Sequence, residues 1–147
     1  MLVLLIANNQ ATAAQIHLDD EMAAIPAKIT NIDSCGHWKK GGVEGIYRVI
    51  YVEFYYGNSL LYIQWLRDFT YDDPTRHVMH TLSIDEFNAD DHIELTFDKP
   101  KCIETDRGIR FQITADSGND ESEQKYLFDL QVDNEFGKYS IRELTAE

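Results

Sequence analysis

From residue 45 onward, apolar and polar side chains alternate with a period of two in a series of short runs, the spacing of strands rather than helices. The strongest run, 45–56 (GIYRVIYVEFYY), carries Ile46, Ile50, Val52 and Phe54 on one side and Tyr47, Val49 and Tyr51 on the other. Apolar residues on both sides predict a central strand covered on both faces for much of its length. Gly57-Asn58-Ser59 supplies a tight turn, and 60–66 (LLYIQWL) returns as its hairpin partner. A fourth strand falls at 77–82. Residues 92–98 place Ile93, Leu95 and Phe97 inward, and 108–115 repeats the pattern with Ile109, Phe111 and Ile113. Residues 125–132 and 138–144 form a last hairpin, with Gly137 in the left-handed position that closes its turn.

Ahead of these runs, Pro26 introduces a first strand at 27–33, and Lys40-Gly41-Gly42 is a turn or loop. Pro100 and Cys102 belong to a turn or edge segment. Ser83 and Glu86 fit a capping box opening one helical turn through Asn88. Helical patterns of 10–15 residues are missing between the strands, so the chain reads as all-β: an antiparallel β-sandwich of seven to eight strands. A small up-and-down β-barrel is the alternative. Residues 14–147 read as one domain, without linker or internal repeat.

The first residues change the picture of where the domain works. Leu2-Val3-Leu4-Leu5-Ile6-Ala7 is a short apolar core and Ala11-Thr12-Ala13 a small-x-small cleavage pattern, so 1–13 reads as the remnant of an export signal, although a basic n-region is missing. The competing reading is an amphipathic helix at 11–24 with Leu18, Met22 and Ile25 facing inward. No other apolar run approaches the roughly 18 residues of a membrane span. A periplasmic or secreted location follows, with no membrane insertion. Cys35 and Cys102 are the two cysteines of the chain. In an oxidising compartment an isolated pair is most simply a disulfide; two buried thiols or two metal ligands are the other readings.

Composition narrows the partners. The 147 residues carry 26 acidic and 13 basic side chains, a net charge of −13. Lys39-Lys40 is the one adjacent basic pair, so the counterion-releasing cluster that binds a phosphate backbone is missing and nucleic acid is disfavoured. A basic protein, a cation or a neutral ligand stays open.

Candidate chemistry is sparse. His37, His77, His80 and His92 invite a zinc or copper reading, but His77 and His80 point to opposite faces of a straight strand, and no ligand-spacing motif supports it. Asp116, Asn119, Asp120 and Glu121 offer the hard oxygen ligands of calcium without the EF-hand order, and are the weak calcium candidates; no other cofactor is expected. No nucleophile elbow, phosphate loop or dinucleotide fingerprint occurs, and no residue stands out as catalytic. Aromatic side chains are enriched at recognition surfaces, and His37, Trp38, Lys39 and Tyr56 form the candidate binding surface, with Trp38 the best exposed contact.

Cys35-Gly36-His37-Trp38, Gly45-Ile46-Tyr47-Arg48-Val49 and Leu61-Tyr62-Ile63-Gln64-Trp65-Leu66, with the export-like start, resemble a group of short periplasmic proteins of Gram-negative bacteria. The likeness spans about 26–97. It implies a compartment and no activity, so no functional residue is carried over. The expectation is a non-catalytic periplasmic binding or interaction domain that engages a protein partner, possessing the charge and compartment of small acidic inhibitors of basic cell-wall lytic enzymes. Calcium- or transition-metal binding, with or without catalysis, is one alternative, and a subunit of an envelope assembly joined through an exposed strand edge is another.

Overall fold

A computed structural model describes residues 25–26, 29–53, 59–88, 95–117 and 124–144. The period-two runs form nine strands among these residues: β1 (Ile29–Lys40), β2 (Val43–Glu53), β3 (Ser59–Arg67), β4 (His77–Ser83), β5 (Leu95–Phe97), β6 (Cys102–Thr105), β7 (Gly108–Ser117), β8 (Lys125–Asp133) and β9 (Tyr139–Leu144). One helical turn, α1 (Asp85–Asn88), separates β4 from β5. The strands make two antiparallel sheets, β1-β2-β3-β4 and β5-β7-β8-β9, with β6 also on β7. This is the expected all-β sandwich, not a closed barrel. The count exceeds seven to eight because 102–105, expected as a turn or edge segment, pairs with Gly108–Phe111. The first strand also runs seven residues beyond its expected end.

The core lies between the sheets. Tyr47, Val49, Tyr51, Leu61, Ile63, Trp65 and Leu82 come from the first sheet. Leu95, Phe97, Ile109, Phe111, Ile113, Ala115, Leu130 and Val132 come from the second. On β2 the burial alternates: Tyr47, Val49 and Tyr51 are buried, whereas Ile46, Arg48 and Ile50 on the outer side are half-buried. The expected cover on both faces holds in part: the inner face packs on the second sheet, while on the outer side Val52 is buried and Ile46 and Ile50 are half-buried.

Two tyrosines of β2 hydrogen-bond across the sandwich. The Tyr47 hydroxyl donates to Asn134 Oδ1 (2.8 Å) and to the Asp133 carbonyl (3.2 Å). The Tyr51 hydroxyl donates to the Phe97 carbonyl (2.5 Å), which also accepts from the buried Ser59 hydroxyl (3.0 Å). Burial pushes both phenols above their ordinary pKa, so each stays a neutral donor. Both core hydroxyls are thereby satisfied, whereas the Trp65 indole N–H is buried without a hydrogen-bond partner.

α1 closes one side of the core with Phe87, whose ring meets Phe97 at 4.8 Å and Phe128 at 5.4 Å. The expected capping box does not form. Ser83 Oγ accepts from Asn88 Nδ2 (2.9 Å), and Glu86 Oε2 accepts from the Tyr139 hydroxyl (2.9 Å). Asn88 wins because its amide matches a strand edge: Leu61 N donates to its Oδ1 and its Nδ2 donates to Leu61 O.

Candidate functional site

β1 carries His37, Trp38 and Lys39 of the candidate binding surface, and one glycine decides which way they point. Directly opposed residues of an antiparallel pair share a face. Asp33 and Cys35 oppose Val49 and Tyr47, on the side of the second sheet. The register shifts between Cys35 and His37, and Gly36 sits there at φ +58°. A β-bulge of this kind inserts one residue and reverses the in–out phase beyond it. His37 then opposes Ile46 and turns outward, while Trp38 opposes Gly45 and turns in.

Trp38 is therefore not the exposed contact expected of it: it is 1% exposed. Its indole N–H donates to the carbonyls of Ile46 (3.1 Å) and Leu66 (3.2 Å), and its ring meets Phe136 edge-on at 5.2 Å. His37 and Lys39 are exposed as expected. His37 lies on the free edge of β1, where its backbone N–H donates to Glu104 Oε1 (3.0 Å) and its ring Nδ1 lies 3.3 Å from the same oxygen. Tyr56 lies outside the described residues.

Cys35 of the first sheet and Cys102 of β6 form a disulfide, with Cα atoms 6.2 Å apart, so the bridge joins the two sheets at their edges. Beside it lies a cavity of about 480 Å³. β5 and β6 pair with different stretches of β7, and the segment between them, 98–101, stands away from the sheet and walls this space. Lys99 pairs with Asp33 across it, and Lys101 and Glu104 line it too. Its charges balance.

A second cavity, about 380 Å³, adjoins His37, Trp38 and Lys39 and does not balance. Glu44, Asp68 and Asp106 bring three carboxylates to it from three elements. Glu44 is the second residue of β2, and its carboxylate lies 3.7 Å from Lys39 Nζ. Asp68 follows β3 and is fixed by its backbone N–H donating to Glu44 O (3.0 Å). Its Oδ1 is buried and accepts no hydrogen bond; the Arg76 guanidinium is 3.4 Å away. Asp106 is in the β6–β7 turn and exposed. The cavity sets three carboxylates against one ammonium, an excess of acceptors complementary in charge to a cation.

Sequence reasoning found His37, Trp38 and Lys39 and missed Glu44, Asp68 and Asp106. No local motif links those carboxylates; strand register sets Glu44 beside Asp68, and the packing of the two sheets brings Asp106 to them.

The other candidates do not converge. Asp116 is in β7 opposite Lys125, with Oδ1 buried and without a hydrogen bond, while Asn119, Asp120 and Glu121 lie outside the described residues. His77 contacts Asp73 (2.9 Å), and His80 stacks on Phe136 at 6.3 Å and meets Trp65 edge-on; His92 is outside the described residues. Among the described residues no group of three or more His, Cys, Asp or Glu is placed to hold a metal ion. Set against protein-family models, curated proteins and solved structures, the chain matches none of them.

Proposed function

We propose that this chain is a non-catalytic binding domain of the periplasm or another oxidising compartment, and that it engages a basic protein by accepting a Lys or Arg side chain into the cavity beside Trp38. The observation that carries this is the excess of carboxylates at that cavity, Glu44, Asp68 and Asp106 against the Lys39 ammonium. Like charges held close together repel, and an incoming ammonium or guanidinium offsets that repulsion with charge-assisted hydrogen bonds. The inter-sheet disulfide supports an oxidising compartment. Among the described residues no helix is long and apolar enough to cross a membrane.

Charge placement supports the same partner class. The described residues hold sixteen acidic and twelve basic side chains, a net of −4 out of −13. Long-range attraction of a basic protein therefore comes from the whole chain, and the cavity supplies the short-range contact.

The test is calorimetric titration with lysozyme, a basic cell-wall lytic enzyme, and with poly-lysine, at 25 and 200 mM NaCl. Binding that weakens more than tenfold with salt, and comparably in D68N/D106N at low salt, supports the proposal; Asp72→Asn is the exposed control. Salt-independent binding, equal affinity of the double variant, or no binding to either probe contradicts it.

A further inference from the structure

The outer face of the second sheet carries a feature at odds with the acidity of the chain. On β7, β8 and β9, Arg110, Gln131 and Ser140 make one cross-strand row, and Gln112, Asp129 and Arg142 make the next. Asp129 is 7% exposed. Arg110 Nε donates to its Oδ1 (2.5 Å) from one side, and Arg142 Nη2 donates to its Oδ2 (2.7 Å) from the other. These two guanidinium groups, Arg110 first, hold the Asp129 carboxyl below its ordinary range. One carboxylate thus serves two guanidiniums, and a full positive charge is left over.

Arg107, in the turn before β7, borders the same place and donates to Asp133 Oδ1 (3.0 Å). The three arginines surround a depression of about 260 Å³ floored by Asp129, Gln131 and Ser140. A guanidinium has five N–H donors in a fixed fork, and each of these has one such bond to a carboxylate here. An occupant must therefore be rich in acceptors and negative. A cation meets three guanidiniums, and an apolar group leaves their N–H groups without partners.

We propose that this depression is an oxyanion site taking a carboxylate or phosphate group, with Arg110 and Arg142 as the fork, Arg107 as the third arm and Asp129 as the positioning residue that fixes the fork in place. Planar, pre-oriented guanidiniums suit either group. The site is separate from the cavity beside Trp38, and its occupant has the opposite charge.

NMR titration of the intact protein with inorganic phosphate and with acetate, chloride keeping the ionic strength constant, tests it. The expected result is saturable shifts of the Arg110 and Arg142 Nε–H signals and of the Gln131 and Ser140 amides. Arg142→Gln, at an exposed side chain, should lower the affinity at least fivefold with the amide spectrum still dispersed, and Arg107→Gln by a smaller factor. Saturation by either anion supports the site, and the tighter one identifies the group. Linear shifts without saturation by both anions, or unchanged affinity in Arg142→Gln, overturns it.

Discussion

Trp38 lies directly across the β1–β2 ladder from Gly45, and the Leu66 carbonyl that accepts its indole N–H is where a side chain at 45 would begin. A Cβ built on Gly45 falls 1.8 Å from that oxygen. The missing side chain lets β3 approach, and the approach satisfies a tryptophan that would otherwise bury an unpaired donor. Gly45→Ala should therefore destabilise the protein by about 1–3 kcal/mol, as overpacking does. Urea unfolding checks this; an unchanged midpoint contradicts the arrangement.

Gly36 makes a sharper test of the bulge. It combines φ +58° with a Cβ position 2.9 Å from Ile109 Cγ2. Gly41, at the same φ in the β1–β2 turn, has open space around it. Gly36→Ala should cost about 1–2 kcal/mol for the left-handed backbone alone, with the clash in addition. Gly41→Asn should stay within about 0.5 kcal/mol, because Asn tolerates that conformation. Comparable losses in both variants would remove the bulge from the account.

The disulfide closes the chain over a sequence separation of 67 residues. By the chain-entropy model its loss costs about 4 kcal/mol. Reduction, or Cys35→Ala with Cys102→Ala, should lower stability by about that amount, and an unfolding curve with and without reductant measures it. A reduced protein as stable as the oxidised one would contradict the bridge between the sheets.

Asp73 makes the segment between β3 and β4 sensitive to acid. Hydrogen bonds from Thr75, then His77, lower its carboxyl from 3.8 to about 2. The folded pKa lies below the unfolded one, so the carboxylate stabilises the fold above pH about 4, and that contribution is lost as the pH falls toward 2. Carboxyl-detected NMR should place the Asp73 midpoint near 2. A midpoint at the ordinary value would mean that these hydrogen bonds do not persist in solution.

The sheet was legible because alternation survives wherever one face of a strand is buried, as at Leu95/Phe97 and Ile109/Phe111/Ile113. β6 was legible only as a turn or edge segment because an edge strand need not alternate: Ile103 is 44% exposed. The orientation of Trp38 was illegible for a different reason. A single glycine reads the same in a strand, a turn or a bulge, and only the bulge exchanges the faces of His37 and Trp38. The capping box failed because Asn88 offers Leu61 both a donor and an acceptor, which Ser83 with Glu86 does not. The carboxylates beside Trp38 were hidden because Glu44 and Asp68 meet only through strand register and Asp106 joins them only through the packing of the two sheets.

Entry of a basic side chain beside Trp38 is tested most directly by mapping amide and indole shifts of the labelled protein as lysozyme is added at low salt. The expected outcome is perturbation concentrated at His37, Trp38, Lys39, Asp68 and Asp106, abolished by 200 mM NaCl and by D68N/D106N. Perturbation centred elsewhere on the sandwich, or persisting in the double variant, would contradict it.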